Sequence, residues 1–188
     1  MSVNALKSLL TSYEPSDVRE KQYLEQMVRL VSQTDRPLHR KQVEPGHFTA
    51  SSFVLSPDST QLLLIFHDKL ELWLQPGGHF DAEDEAVLAA ALREVHEETG
   101  LHPKSVAAVD PLLFDIDVHP IPPNHKKGEP AHQHFDLRVL LRATSWDVCA
   151  GSDARDIQWV DLHRVSEVNT DESVCRAVRK ILEITGDA

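Results

Sequence analysis

The chain has 188 residues, 41% of them hydrophobic and 26% charged, with a formal net charge of −11. That length suits one domain with room for an extension and needs no disulfide scaffold, while the composition excludes wholesale disorder. So acidic a surface repels nucleic-acid backbone, and no nucleic-acid partner is expected; excess carboxylate suits recruitment of a divalent cation.

Residues 3 to 34 read as two helices broken at Glu14-Pro15-Ser16, with Leu6, Leu9 and Leu10, then Tyr23, Met27, Leu30 and Val31, at helical spacing. They form an N-terminal extension over residues 1–44, either packed on the main domain or offering a homodimer surface. The main domain is assigned to residues 45–188. Phe48 to Leu55 alternates loosely and Gln61 to His67 is a buried strand; Ser56-Pro57-Asp58-Ser59 turns between them, so the pair reads as a hairpin. Glu71 to Gln75 is a short strand that runs into Pro76-Gly77-Gly78, where a strand continues poorly.

Residues 85 to 98 make an amphipathic helix, since Val87, Leu88, Ala91, Leu92 and Val95 fall within about 140° of arc. Asp81 and Asp84 suit its start, and Gly100 suits its end. Strands follow at Leu112 to Val118, His132 to Arg142 and Ile157 to Val160. A closing helix takes residues 171 to 185. Strands before, between and after helices predict an α/β sandwich on a mixed sheet.

The longest apolar run, Ala86 to Leu92, is seven residues, far short of the roughly 20 that cross a bilayer. No signal peptide is evident at the N-terminus. Cys149 and Cys175 share no metal-type spacing and read as small buried hydrophobes. A cytoplasmic location with no membrane partner is expected.

The chemistry concentrates in Arg93-Glu94-Val95-His96-Glu97-Glu98-Thr99-Gly100-Leu101. Glu94, Glu97 and Glu98 stand at i, i+3 and i+4, so they share one helix face. Three like charges there repel one another unless a cation sits among them. Oxygen-only ligands select a hard ion, Mg²⁺ first and Mn²⁺ next; Mg²⁺ commonly keeps waters and binds substrate phosphates. Arg93 lies beside the cluster and can orient one carboxylate through a charge-assisted bond. Three glutamates alone would more simply be a solvated acidic face; the flanking residues change that reading.

Gly77-Gly78, Glu85 and Arg93-Glu94-Val95-x-Glu97-Glu98-x-Gly100-Leu101 together closely resemble the Nudix box of the Nudix hydrolases. From Glu85 onward every defined position of that pattern is matched. Ahead of it, six residues rather than the family's five separate Gly78 from Glu85, a one-residue insertion in the first loop that leaves His79 at the glycine position counted back from Glu85. The resemblance implies a Nudix fold and hydrolysis of a phosphoanhydride bond in a nucleoside diphosphate linked to another moiety. It implies Mg²⁺ or Mn²⁺ on Glu94, Glu97 and Glu98, with the Gly78 carbonyl as a further ligand, and catalytic roles for Glu97, Glu98 and Arg93.

Beyond the box, Asp115, Asp117 and His119 alternate on one strand face, and His132, His134, Asp136 and Arg138 on another, opposite Phe135, Leu137 and Val139. His132, His134, Asp136 and Arg138 are expected to bind substrate phosphate; His132, His134 and Asp136 could alternatively hold a further metal, and imidazole suits Zn²⁺ or Mn²⁺ better than Mg²⁺. A solvent-facing strand shows the same alternation. Glu129, in the loop 120 to 131, is a candidate base. His79 and His96 read as local contacts.

The expected substrate is a small nucleotide, a nucleotide sugar first. The alternatives are a noncanonical nucleoside triphosphate or a catalytically silent Nudix-like ligand-binding module. A Nudix-like isomerase would need a cysteine near the site, for which Cys149 and Cys175 lack the context. Messenger-RNA decapping is disfavoured by the charge.

Overall fold

The computed structural model describes residues 1–125, 128–151 and 155–186. The elements run α1 (Val3–Ser12), α2 (Val18–Gln33), β1 (Gly46–Leu55), β2 (Gln61–His67), β3 (Leu72–Leu74), β4 (Gly77–His79), α3 (Val87–Thr99), β5 (Val106–Ile121), β6 (His132–Ala143), β7 (Ile157–Asp161) and α4 (Glu172–Thr185). Short 3₁₀ turns lie at Pro103–Ser105 and Leu162–Glu167. The architecture is α/β, with a mixed seven-stranded sheet, flanking helices and the two expected N-terminal helices. Strand order is β3-β2-β1-β6-β5, with β4 paired to β1 and β7 to β2. The chain divides into two compact units, and β1, α3, β5 and β6 pass from one to the other.

The first unit comprises Met1–Ser51, Gly78–Ala91 and Pro111–Val139. Ser2 caps α1 by accepting from the Ala5 N–H, and Asp17 caps α2 by accepting from the Glu20 N–H, so each helix starts where a short polar side chain replaces a missing backbone acceptor. Leu6 and Leu10 of α1 and Met27, Leu30 and Val31 of α2 are buried. So is Glu20, whose carboxylate accepts from the Tyr13 hydroxyl at 2.7 Å and the Ser16 N–H at 2.7 Å. The connector is tied to β1 by the Phe48 N–H, which donates to the Pro37 carbonyl at 2.8 Å. At the head of β1 the backbone runs so close to β6 that a Cβ on Gly46 would lie 1.8 Å from the Gln133 carbonyl oxygen. Only glycine permits that approach, and it fixes His47 beside the residues flanking Gln133.

The second unit comprises Ser52–Gly77, Leu92–Asp110 and Leu140–Ala188. Here the expected hairpin is present, β1 and β2 pairing antiparallel with Leu55 opposite Leu62. Asp58 organises its turn by accepting from Ser56 and Thr60. Leu62, Leu63, Leu64 and Ile65 are buried, as expected, and β2 takes β3 and β7 as further antiparallel partners. Asp171 caps α4 by accepting from the Val174 N–H, and Gly186, at φ 79°, ends it in the left-handed conformation.

Four expectations change. β1 is buried along its whole length rather than on alternate residues, because it lies inside the sheet with β2 and β6 on either side. β5 runs well beyond 112–118 at both ends; it ends the strand order, and edge strands are where a proline such as Pro120 is tolerated. The chain pairs again straight after Pro76 as β4, where an interruption was expected. Cys149 is exposed and Cys175 half-buried, so neither is a core hydrophobe. Among the described residues, no helix is long and apolar enough to cross a membrane.

Candidate active site

In the second unit, the last turns of α3 carry Arg93, Glu94, Glu97 and Glu98. The helix continues to Thr99, one residue past the expected end, and Gly100 follows at φ 69°. Its final carbonyls do not face water. The Cys149 N–H donates to the Thr99 carbonyl at 2.9 Å and the Gly151 N–H to the Glu98 carbonyl at 2.8 Å. These bonds satisfy acceptors that every helix end leaves orphaned. A Cβ on Gly151 would lie 1.9 Å from the Glu97 carbonyl oxygen, so that clamp requires glycine.

The side chains are held as firmly. One Arg93 Nη1 donates to Glu94 Oε1 at 2.8 Å and to Glu97 Oε2 at 3.3 Å. Arg93 thus orients two carboxylates rather than one, and its charge offsets their repulsion. Glu98 Oε2 accepts from the Gly77 N–H at 2.8 Å. Burial is graded along the set: the Glu94 side chain is 13% exposed and that of Glu97 is 55% exposed. Glu97 is therefore the carboxylate that solvent reaches most readily. The donor set is oxygen only, which fits a hard divalent cation.

In the first unit, the polar residues of β5 and β6 meet each other. Arg138 donates through Nε to Asp136 at 2.8 Å, through Nη1 to Asp115 at 3.3 Å, and pairs through Nη2 with Asp117 at 3.3 Å. Asp136 also accepts from Thr49 at 2.8 Å and Ser51 at 2.6 Å, both on β1. Burial alone would raise the pKa values of Asp117 and Asp136, but the Arg138 guanidinium holds both below the usual carboxylate range. The three carboxylates in turn hold Arg138 charged against its own burial. Asp136 and Arg138, expected to bind substrate, are almost wholly buried and bonded within this network. Their polar strand face meets other polar residues.

At the edge of that network lies a group of histidines. His132 and His134 come from β6, His119 from β5, His79 from β4 and His47 from β1. The His47 ring lies 5.1, 5.1 and 4.9 Å from those of His79, His132 and His134. His79 and His119 lie 5.2 and 5.5 Å from His134. Among the described residues, His47, His132 and His134 are the one His, Cys, Asp or Glu group whose ligand atoms all lie within 4.8 Å of one another. His47 was missed from the sequence: it is remote along the chain, and only its position after Gly46 hints at a close approach. His79 was read as a local contact, yet its neighbours come from other strands. His96 keeps a local partner, its Nδ1 lying 3.1 Å from the Leu101 carbonyl oxygen.

Glu129 sits opposite Asn124 in a bridged turn, 3.7 Å from Arg40 and partly exposed. Residues 126 and 127 of its loop lie outside the described residues.

The NUDIX domain family matches residues 46–178 of the chain. The chain belongs to the Nudix family. It is 34% identical over 115 residues to a protein of Lactococcus lactis subsp. cremoris (strain MG1363) named probable DHNTP pyrophosphohydrolase, a match covering 61% of this chain and 65% of the relative. It is 38% identical over 71 residues to the human m7GpppN-mRNA hydrolase NUDT17, covering 37% of this chain and 21% of that one. This Nudix chain therefore spans less than two thirds of the length of either relative. The structure of a C. elegans Ap4A hydrolase shares its fold, with a TM-score of 0.60 at 16% identity over 75% of this chain and 98% of that one.

Proposed function

We propose that this Nudix chain is a pyrophosphohydrolase that cleaves a phosphoanhydride bond in a small nucleotide-like substrate, with Mg²⁺ or Mn²⁺ at the α3 carboxylates. The observation that carries the reading is the construction of that helix end. Glu94, Glu97 and Glu98 are each held by a defined donor, and the helix carbonyls beneath them are clamped. A merely solvated acidic face would need none of these constraints.

Glu94, Glu97 and Glu98 would hold the ion, with the Gly78 carbonyl as a further oxygen ligand. Bound there, the ion would polarise the phosphoanhydride and favour deprotonation of the attacking water. Arg93 keeps Glu94 and Glu97 oriented and lowers the cost of crowding them. The Gly77 N–H fixes one Glu98 oxygen. Glu97 is the helix carboxylate best placed by exposure to accept a proton from water. Glu129 is the candidate base from outside the helix.

A nucleoside diphosphate linked to another group, such as a nucleotide sugar, is the first substrate class. A triphosphate is the second, favoured by the DHNTP in the name of the Lactococcus relative. The test is product chromatography on nucleotide sugars, dinucleoside polyphosphates, nucleoside triphosphates and DHNTP. It is run with Mg²⁺, with Mn²⁺ and with chelator, beside Glu98→Gln. Metal-dependent cleavage that the variant loses is the expected result. Cleavage that persists in chelator, or in Glu98→Gln at full rate, would overturn the assignment.

A further inference from the structure

We propose that His47, His132 and His134 form a binding site for a borderline transition-metal ion, Zn²⁺ first, separate in its chemistry from the oxygen-ligand set on α3.

Two of the three imidazoles have a defined nitrogen left to offer. His47 Nδ1 lies 2.9 Å from the Gln42 carbonyl oxygen, and His132 Nδ1 lies 2.9 Å from that of Pro130. A carbonyl only accepts, so in both rings Nδ1 carries the proton and donates. In the neutral ring Nε2 is then a bare lone pair. This arrangement, Nδ1–H bound to a backbone carbonyl and Nε2 presented, is the one that metal-ligating histidines use to fix their tautomer.

For His47 that lone pair has no other use. The residue is 1% exposed, and its Nε2 is buried without a hydrogen-bond partner. A buried polar atom left unsatisfied costs about 1–3 kcal/mol. A metal ion would satisfy it without requiring any donor from the protein.

The spacing is close to what an ion needs. Zn–N bonds of about 2.0–2.1 Å place tetrahedral ligand atoms about 3.3 Å apart. The three imidazoles already bring ligand atoms within 4.8 Å of one another, so rotations of the side chains close the set. Gly46 holds the backbone of β1 against Gln133, between His132 and His134, so the site is built by the strand approach itself.

Protons do not compete. Burial, together with the neighbouring His47, His79 and His119, pushes the His134 pKa down to about 2, and burial also lowers that of His47. Metal binding requires neutral imidazole, and these two rings are neutral near pH 7. Asp136 acts on His134 in favour of a cation, and His119 bonds Asp117 through Nδ1 at 3.0 Å, against the opposing charge of Arg40 near His47. His79 and His119 stand next to His134 to supply a fourth ligand. The same facts disfavour phosphate recognition at His47, because a neutral imidazole whose N–H is already engaged presents a lone pair to an anion.

The test uses the full chain, stripped with chelator and dialysed. Zn²⁺ is titrated against a chromophoric chelator, Co²⁺ substitution is followed by visible absorption, and thermal unfolding is read with and without Zn²⁺. The expected result is one Zn²⁺ per chain bound tighter than roughly 1 μM, tetrahedral-type Co²⁺ bands, and a Zn²⁺-dependent rise in Tm. His132→Ala and His134→Gln should each weaken binding at least about tenfold and abolish the Tm rise. His132 is half-buried at the start of β6, and circular dichroism of the variant is the control for its folding. Glu98→Gln should leave the Zn²⁺ titration unchanged. Binding that survives both histidine variants, or that is lost in Glu98→Gln, would place the ion elsewhere and overturn the proposal. Absence of Zn²⁺ binding with an unmoved Tm would overturn it as well.

Discussion

The Glu97 side chain on α3 is 55% exposed, whereas Asp115, Asp117 and Asp136 on β5 and β6 are almost wholly buried. Both regions gather three carboxylates around one arginine. On α3, Arg93 bonds two of them and leaves the set within reach of water. On the strands, Arg138 engages all three and is itself buried. The difference shows what a charge cluster is for. Under the proposed function the α3 carboxylates exchange an arginine contact for a metal, and they are partly solvated. Carboxylates that hold two strands together are desolvated and fully engaged. The prediction is that one cluster governs turnover and the other governs stability.

The largest effect should come from Arg138→Met. It strands buried carboxylates without their guanidinium, at a cost of roughly 3–5 kcal/mol. Chemical denaturation measures this, and a loss below about 1 kcal/mol would show that the network does not hold the strands. The pH dependence sharpens the point. In the parent, Asp117 and Asp136 have folded pKa values below their unfolded ones, so their stabilisation is present above about pH 4 and lost as pH falls through the folded values. In the variant, burial is opposed only by the remaining contacts from Ser51, Thr49 and His119, so those pKa values rise from their values in the parent and protonation relieves the folded state. The gap between parent and variant should therefore narrow from pH 7 towards pH 4.

Glu97→Gln and Glu98→Gln should each lower turnover by about 100-fold or more while stability moves by no more than about 0.5 kcal/mol. Steady-state kinetics beside thermal unfolding separates the two. Loss of stability on this scale without loss of turnover would reverse the assignment of the two clusters.

Gly151→Ala should act between these extremes. The added Cβ meets the Glu97 carbonyl, so the clamp at the end of α3 must open. Turnover should fall and the KM for the divalent ion should rise, with the catalytic glutamates all present; an unchanged metal dependence would mean that the clamp does not position them.

The smallest effect belongs to Ser51→Ala. It removes one hydrogen bond to the buried Asp136 carboxylate, worth about 1.5–3 kcal/mol to a charged acceptor and less where Thr49 and Arg138 compensate. Denaturation midpoints read it, and turnover should not change.

Much of this was legible in the sequence because it is local. The helix from Val87, its Gly100 stop, the shared face of Glu94, Glu97 and Glu98, and the Arg93 contact all follow from a 3.6-residue period. The β1–β2 hairpin follows from alternation and turn residues. Alternation also placed Asp136 and Arg138 on one strand face, but it says nothing of what covers that face. Asp115, Asp117, Thr49 and Ser51 cover it, each contributed from another strand.

By itself, then, the sequence determined the elements, the family-like box and the shared carboxylate face of α3, since these depend on residues a few positions apart. Tertiary structure alone decided the rest. It bonded Asp136 and Arg138 to each other in the buried network. It brought His47 and His79 to His132 and His134, and it clamped α3 with Cys149 and Gly151. The physical reason is that backbone periodicity encodes a side chain's direction, whereas its partner is set by strand pairing between distant segments, which no local spacing specifies.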